Sequence, residues 1–278
     1  MLKRIVVGMG LVALATAQPQ PAAEGRQQIT MPFRDPSMPR KLVVEGGTGS
    51  LTIRGYQGQD AIIEYTGREI PGTNSRGRSG RNEPPAGMHR IGESRGLDIT
   101  EENNTVRVNS QTIFGGTARD MVIQVPAQTS VNVKTMFGGS MTIENISGDI
   151  EAENFNGQVT INNASGSVVA HSMNGKILVS LDRVAADKSM SFSTFNGDVD
   201  VTFPAKLVAT LRVTTGHGDF YTDFDVAVQS QPAVVTQGGG QNGRYEVRLE
   251  RETVVAVGKG GPDIRFKTFN GNVMVRKR

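Results

Sequence analysis

The stretch GGSMTIENISGDIEAENFNGQVTINNASGSVVAHSMNGK, from Gly138 to Lys176, decides the fold of this chain. Within it a glycine recurs every nine residues at five successive positions, which are Gly139, Gly148, Gly157, Gly166 and Gly175. A fixed period in a sequence indicates a structural unit that is repeated in space. The repeat therefore has to be interpreted before any single element is assigned.

Apolar and polar residues keep fixed places within this repeat. Counted from each glycine, apolar residues occupy the second, fourth and seventh places, and polar pairs occupy the fifth and sixth. The pairs are Glu144-Asn145, Glu153-Asn154, Asn162-Asn163 and His171-Ser172. Two outward residues in a row break the alternation of a flat strand, so we expect a corner at each pair. The seventh-place residues, including Phe155, are then expected to point inward, as is Phe195 before Gly197.

The residues before each glycine double the period to 18. They alternate between Phe-Gly, Phe-Asn or Met-Asn and Ile-Ser or Ala-Ser. An antiparallel meander with Asn-Gly hairpins has the same spacing, but its strands should alternate cleanly, so the repeated corner favours a coil. Stacked coils pair every strand above and below. We therefore predict an all-β chain folded as a single right-handed β-solenoid with coils of about 18 residues.

The turn pattern returns beyond this stretch, at residues 194–198, 215–219 and 268–272. Asn at the first turn position and Gly at the second suit backbone with positive φ. The predicted structural turn residues are Gly139, Gly148, Asn156, Gly157, Gly166, Asn174, Gly175, Asn196, Gly197, Gly218, Asn270 and Gly271. Upstream, Gly49 is followed by Leu51 and Ile53, so the same pattern begins near Lys41.

The N-terminus has the pattern of a signal peptide. Lys3 and Arg4 precede an apolar run from Ile5 to Leu14, which is followed by Ala15-Thr16-Ala17. The run is shorter than the roughly 20 residues that a membrane-spanning helix needs. We expect residues 1–17 to be removed, leaving no transmembrane segment, and the protein to be exported to the periplasm, the cell surface or the medium. Residues 18–40 are then a lead-in, and residues 41–278 the solenoid domain.

The composition fits short strands and tight turns. The chain has 34 Gly, 12 Pro and no Trp, and its lack of Cys excludes disulfides and thiolate metal sites. Its 30 basic residues stand against 27 acidic ones, a formal net charge of +3, which gives no reason to expect nucleic acid. Residues 181–188 are the modest candidate for a helix after the signal peptide, one or two turns long.

Several segments resemble a family of bacterial β-strand-repeat envelope proteins of unknown function, the "putative adhesin" domain family. They are the run from Val122 to Thr135 that leads into the repeat, the run from Phe203 to Phe220, and the close DIRFKTFNGNVMVRK from Asp263 to Lys277. The resemblance covers roughly residues 41–278. It implies an architecture similar to that of adhesins, and it supplies no catalytic residues.

Two segments interrupt the repeat. Residues 71–95 are rich in Gly, Pro, Ser and Asn and are expected to form a flexible loop. Five arginines in it could meet an anionic envelope polymer or lipid headgroup, although a solvated insertion explains them as well: Arg76, Arg78, Arg81, Arg90 and Arg95. Residues 229–243, with three successive glycines, are expected to form a turn or loop.

Two glycine patterns resemble catalytic or cofactor motifs. Gly92 to Gly96 matches the nucleophile elbow around Ser94, but the elbow needs a preceding buried strand and a following helix. Gly238 to Gly243 matches G-x-G-x-x-G, but RYEVRLERE after it alternates as a strand. We expect neither a serine hydrolase nor a dinucleotide site, and no cofactor.

Acidic turn residues raise the possibilities of a calcium site and of a glycan-cleaving site. Asp149, Asp198 and Asp219 each follow a turn glycine, and Asp198 and Asp219 are expected in adjacent coils. Other coils have Ser, Gln or Lys there, which indicates a tolerant exposed turn and no metal site. His217 is interpreted as a turn residue in the Asn position of the repeat, because His tolerates the left-handed region.

The sequence therefore predicts a non-enzymatic exported cell-envelope protein with an adhesin-like or scaffolding surface. Its partner is an unknown envelope protein, glycan or membrane surface. One alternative is a polysaccharide lyase or hydrolase on a β-helix, which needs converging carboxylates. Another is an envelope-stress or regulatory sensor, and the sequence does not discriminate it from an adhesin.

Overall fold

The described part of the chain is all-β. A computed structural model describes residues 26–47, 49–68, 97–110, 118–136, 139–184, 187–229, 234–239, 245–250 and 252–278. Their 23 strands are β1 (Arg26–Pro32), β2 (Lys41–Gly46), β3 (Leu51–Tyr56), β4 (Asp60–Arg68), β5 (Leu97–Glu102), β6 (Thr105–Ser110), β7 (Ala118–Pro126), β8 (Ser130–Thr135), β9 (Met141–Glu144), β10 (Ile150–Asn156), β11 (Val159–Ala164), β12 (Val168–Asn174), β13 (Ile177–Leu181), β14 (Met190–Asn196), β15 (Val199–Phe203), β16 (Ala209–His217), β17 (Phe220–Thr222), β18 (Val226–Gln229), β19 (Val234–Gly239), β20 (Tyr245–Glu250), β21 (Thr253–Val257), β22 (Asp263–Asn270) and β23 (Val273–Lys277).

The strands form two large mixed sheets and one small hairpin. The ten-stranded sheet has the order β1-β4-β7-β3-β9-β11-β13-β15-β23-β17. The eleven-stranded sheet has the order β18-β21-β16-β22-β14-β12-β10-β8-β2-β6-β5, and β19 and β20 form the hairpin. Both large sheets remain open at their ends, where antiparallel strands such as β1, β4 and β5 are found.

Consecutive strands of the repeat alternate between the two large sheets, and within each sheet they pair in parallel. Ile150 of β10 pairs with Val168 of β12, and Val159 of β11 pairs with Ile177 of β13, so partners are 18 residues apart. The parallel runs have matching order, β6-β2-β8-β10-β12-β14-β22-β16 in one sheet and β7-β3-β9-β11-β13-β15-β23-β17 in the other. The predicted parallel pairing is confirmed, whereas the right-handed solenoid as a whole stays a prediction.

The stacking order departs from the chain order at both ends. Strands β22 and β23 lie between β14–β15 and β16–β17, and β2 and β3 lie between β8–β9 and β6–β7. Phe266 of β22 therefore pairs with Phe192 of β14, although 74 residues separate them. The repeat pattern alone would stack the strands in chain order. It does not predict the observed order, because equivalent repeats have equivalent strand edges and the loops decide which edges pair.

One hydrophobic core joins the two sheets. Inward Val, Ile, Leu, Met and Phe side chains of both sheets belong to a single buried cluster. Its largest members include Phe192, Phe203 and Phe266, and the rings of Phe192 and Phe266 are stacked with centroids 5.4 Å apart. Burial of such side chains contributes roughly 1.5–3 kcal/mol each, so the core accounts for the stability of a chain without disulfides.

The predicted corners occur in only half of the repeats. In the ten-stranded sheet, Asn145 and Asn163 adopt left-handed φ angles of 58° and 54°, and Ile146 and Ala164 behind them are buried. In the eleven-stranded sheet the strand continues extended through the polar pair. Its sixth-place residues Asn154, Ser172, Thr194 and Thr268 are buried. The prediction that Phe155 and Phe195 point inward is therefore wrong, because unbroken alternation turns them to solvent, 42% and 49% exposed.

Three further expectations are resolved by the strand assignment. Residues 18–40, predicted as a lead-in, include β1, which pairs antiparallel with β4. Residues 229–243, predicted as a turn or loop, include β19, which pairs with β20. Residues 181–188, a modest candidate for one or two helical turns, are not helical in the described part of that segment, since β13 ends at Leu181 and residues 182–184 and 187–188 are not helical.

Candidate interaction surface

The turn glycines form a column in which successive turns touch. A Cβ atom at Gly175 would lie 2.0 Å from the carbonyl oxygen of Gly157, and one at Gly197 would lie 2.4 Å from that of Gly175. Positive φ angles occur at Gly157, Gly197, Gly218 and Gly271. The asparagines before them were expected to share positive φ, and this is wrong, since Asn156, Asn174, Asn196 and Asn270 end extended strands. Gly148 and Gly166 form a second column at the opposite turns, where a Cβ on Gly166 would meet the Gly148 oxygen at 2.2 Å.

A buried polar column fixes these turns from inside. The side chains of Asn154, Ser172, Thr194 and Thr268 each donate a hydrogen bond to the carbonyl oxygen of a turn glycine in the neighbouring layer, with donor–acceptor distances of 3.2, 3.3, 2.9 and 3.0 Å. A buried polar group costs free energy unless it is hydrogen-bonded. In these strands of the eleven-stranded sheet the sixth place of the repeat is therefore polar because its side chain satisfies the turn carbonyl, and not because it faces solvent.

The asparagines before the glycines form an external ladder. The Asn174 amide donates to the Asn156 carboxamide oxygen at 2.9 Å, Asn196 donates to Asn174 at 2.7 Å, and Asn270 donates to Asn196 at 2.7 Å. His217 takes the next place, opposite Asn270, as the sequence predicted, but its φ is not left-handed. Each ladder amide keeps one N–H and one oxygen lone pair for other partners.

Next to this ladder runs the hydrophobic ridge, defined as Met136, Phe155, Met173, Phe195 and Phe269. Met136 directly follows β8, and the other four lie on the adjacent strands β10, β12, β14 and β22 of the eleven-stranded sheet, which pair in parallel. The five side chains are 53%, 42%, 38%, 49% and 44% exposed. The rings of Phe195 and Phe269 stack with centroids 4.8 Å apart and planes 5° apart, and His217 packs edge-on against Phe269. Contiguous exposed apolar surface indicates an interaction site.

Sequence reasoning placed Phe155, Met173 and Phe195 in the core because it applied one corner to every repeat. The signal that distinguishes the two kinds of repeat was present in the alternation of Phe-Asn or Met-Asn with Ile-Ser or Ala-Ser. The repeats with a large apolar residue before Asn are those that continue extended.

Charged residues on the same outer face change sign along the stack, with Lys134 on β8, acidic residues on β10 and basic residues on β22. Glu151 and Glu153 stand on β10, whereas Arg265 and Lys267 stand on β22, in register with them through β12 and β14. Glu153 forms an ion pair with Lys134 at 2.8 Å. Arg265 and Lys267 have no ion-pair partner among the residues that the structure describes.

The side chains of Asp198 and Asp149 accept hydrogen bonds from backbone N–H groups of the neighbouring layer. The acidic turn residues do not converge on a common site. Asp198 accepts the backbone N–H of Asn272 at 3.0 Å, and the Asn272 side chain in turn accepts the N–H of Asp219. Asn272 thus separates Asp198 from Asp219, which corrects the expectation that they lie in adjacent coils. The Asn272 N–H and then Lys176 lower the pKa of the Asp198 carboxyl.

Asp149 is held in the same way at the opposite turn. It accepts the backbone N–H and the hydroxyl of Ser167, and it pairs with Lys188 at 2.7 Å. Partial burial raises the pKa of Asp149, but the hydrogen bonds from Lys188 and Ser167 outweigh that effect and keep the pKa below its ordinary value. The described residues include no group of three or more His, Asp or Glu side chains placed to hold a metal ion.

Some predicted features lie outside the described residues. They include the signal peptide, the whole 71–95 loop with its five arginines, and Ser94 in the elbow-like motif. The G-x-G-x-x-G pattern is described only in part, with Gly238 and Gly239 in β19 and the following β20 a strand. Within the described chain, no helix is long and apolar enough to cross a membrane.

Comparisons with known proteins find likeness only among solved structures. No family model matches the sequence, and none of the curated proteins matches it. A crystal structure from Clostridium sporogenes ATCC 15579, described as a "putative cell adhesion protein", is 10% identical, with a TM-score of 0.44 over 91% of this chain and 100% of that one. A "putative adhesin" from Bacteroides fragilis NCTC 9343 is 12% identical, with a TM-score of 0.38 over 92% of this chain and 98% of that one. Both descriptions match the family that the sequence resembles.

Proposed function

We propose that this protein is a non-enzymatic, exported cell-envelope protein that acts as an adhesin-like scaffold, with its repeat coiled as a β-solenoid. The observation that carries the proposal is the pair of parallel strand runs in matching order around one core. Such a stack is rigid along its length, because every interior strand is paired on both sides. Its outer faces therefore present side chains at fixed spacing to a protein, glycan or membrane partner.

The arrangement of acidic residues favours a binding role over the alternative of a polysaccharide lyase or hydrolase. A glycosidase needs two carboxyl groups separated by about 5 to 9.5 Å across a cleft. Here Asp149 and Asp198 are each engaged with a lysine and with the backbone of the next layer, and Asp198 is separated from Asp219 by Asn272. Export of the chain is proposed from the charged and apolar pattern of residues 1–17.

Fractionation of the native host tests the export part of this proposal. We expect the protein in the envelope or the medium with an intact mass that begins at Gln18. A mass that retains residues 1–17, found with the cytoplasmic fraction, would overturn it.

Two assays on the purified protein test the binding part. We expect it to co-sediment with isolated peptidoglycan sacculi or with phosphatidylglycerol vesicles, and to release no new reducing or unsaturated sugar ends from the sacculi or from pectin. Ser94→Ala and His217→Ala should leave the sugar-release background unchanged, because each residue has a turn or loop explanation. Sugar release that is lost in Asp198→Asn or His217→Ala would instead establish the enzyme.

A further inference from the structure

The outer face of the eleven-stranded sheet combines an apolar stripe with charges of opposite sign. The hydrophobic ridge lies along one side, Val169 of β12 lies in register with Glu151 and is 42% exposed, and no described residue covers either. Acidic residues stand on β10 and basic residues on β22, two strands further along.

The face is complementary to itself under a two-fold rotation. An axis parallel to the strands, lying on the face between β12 and β14, places β10 of one copy opposite β22 of the other. Because the four strands are in register, Glu151 then faces Arg265 and Glu153 faces Lys267. An isologous contact repeats each pair twice, since residue i meets j and j meets i.

The same rotation aligns the apolar residues. Phe155 of one copy comes opposite Phe269 of the other, and Met173 comes opposite Phe195, so the two ridges meet along their length. The faces of the Phe195 and Phe269 rings are already stacked on each other. Their exposed edges therefore suit interdigitation with a second apolar ridge better than stacking on a flat sugar ring.

We propose that two copies of this chain pair face to face through the outer face of the eleven-stranded sheet, about this two-fold axis. The formal net charge of +3 is small, so long-range repulsion between copies is weak. Glu151 and Arg265 supply the electrostatic specificity, since Glu153, opposite Lys267, is already paired with Lys134, and the ridge supplies the buried apolar area.

The contact is small, so the dimer is expected to be concentration-dependent. Six strands spaced by about 4.8 Å and five residues rising about 3.3 Å each give a flat area on the order of 500 Å² per copy. Standard stable interfaces bury about 800 Å² on each partner. The dimer should therefore dissociate in the micromolar range or above.

Sedimentation velocity on the full chain, from about 1 to about 500 µM, tests the proposal. We expect a shift from monomer to dimer with concentration. Glu151→Arg and Arg265→Glu should each weaken dimerisation by about tenfold or more, because each places like charges opposite each other at two symmetric positions. The double variant Glu151→Arg/Arg265→Glu should recover it.

Mixing the two single variants makes the test specific for the two-fold axis. In the mixed pair Glu151 faces Arg265 at one position and the substituted Arg faces the substituted Glu at the other, so a heterodimer should form where neither variant dimerises alone. Lys206→Glu, in the turn between β15 and β16, is the matched charge control and should dimerise as the parent does. Phe195→Ser should abolish the dimer while thermal unfolding shows a folded chain.

Three results would overturn the proposal. One is a monomer throughout the concentration range. The second is a dimer that survives both single charge variants, and the third is a dimer that the mixture of variants fails to restore. Either of the last two would place the contact on another face or under another symmetry.

Discussion

Strands β10 and β11 come from the same nine-residue repeat and end differently. In β11 the chain turns at Asn163, which has a left-handed φ of 54°, and Ala164 is buried. In β10 the chain stays extended through Asn154, which is buried, and Phe155 points to solvent. The polar pair at the fifth and sixth places of the repeat is thus a corner in one sheet and part of an extended strand in the other.

The difference shows that the period fixes where the turns fall, whereas the local φ angles decide which side chains point inward. A single left-handed residue shifts the alternation by one place, and in a strand one place exchanges the core face for the solvent face. Strands β10, β12, β14 and β22 of the eleven-stranded sheet lack that residue, and they therefore carry both the buried polar column and most of the hydrophobic ridge.

The largest contrast is expected between two phenylalanines three residues apart in β14. Phe192→Ala should cost about 3–5 kcal/mol of unfolding free energy, because the side chain is fully buried in the core. Phe195→Ala should cost about 1 kcal/mol, because its ring is 49% exposed and loses mainly its stack on Phe269. Urea denaturation measures both losses of unfolding free energy, provided that the dependence of that free energy on urea concentration is the same as in the parent. Equal losses would mean that Phe195 is a core residue.

Substitution in the glycine column should come next. Gly157→Val and Gly197→Val should each cost at least about 1–3 kcal/mol, because φ is +132° and +147° and a Cβ would press on the carbonyl of the layer below. Gln158→Ala, at the exposed position after Gly157, should be nearly neutral and serves as the control. The same urea titrations give the values, and a neutral glycine variant would contradict the stacked turns.

The buried polar column can be separated from the outer face within one sheet. Thr194→Val should cost about 1–3 kcal/mol, because the Gly175 carbonyl loses its buried donor. Glu153→Ala should change stability by less than about 0.5 kcal/mol, since its ion pair with Lys134 is exposed. Thermal unfolding of both variants compares them. If Glu153→Ala proved the more damaging, the inward and outward assignment of these strands would be wrong.

The left-handed corner should be sensitive to the residue that occupies it. Asn163→Ala should destabilise by about 1–2 kcal/mol, because a left-handed conformation is costly for residues other than Gly and Asn. Asn156→Ala, in extended backbone, removes only the end of the exposed amide ladder and should cost about 0.5 kcal/mol. Denaturant midpoints of the two alanine variants measure this difference. Asn163→Gly serves as a control and is expected to retain the stability of the parent.

The smallest effect should come from the titration of Asp198. Its pKa is lowered in the folded chain, chiefly by the Asn272 N–H, so ionised Asp198 stabilises the fold at pH values above about 3.9, its ordinary value when unfolded. Asp198→Asn should therefore be less stable than the parent at pH 7, by less than about 1 kcal/mol. The difference should fall away as the pH is lowered through the folded pKa. A difference that grows on acidification would reverse the sign of the proposed interaction.

The sequence predicted the strand-turn framework well because every repeat needs its glycine where two turns touch. The parallel pairing and the 18-residue offset follow from that spacing, as the register of Ile150 with Val168 shows. The hydrophobic ridge was not predicted, since one corner was assumed for all repeats. The place of β22 between β14 and β16 was also not predicted, because the edges of equivalent repeats are interchangeable in sequence.

By itself the sequence determined the all-β class and the positions of the turns, because a nine-residue period of glycine and apolar residues allows only short strands that bury their faces against neighbouring repeats. Tertiary structure decided which of two equivalent edges the C-terminal strands join and which face Phe155 and Phe195 occupy. Both outcomes depend on contacts between residues far apart in the chain and on the backbone angle at single asparagines, neither of which a repeat pattern specifies.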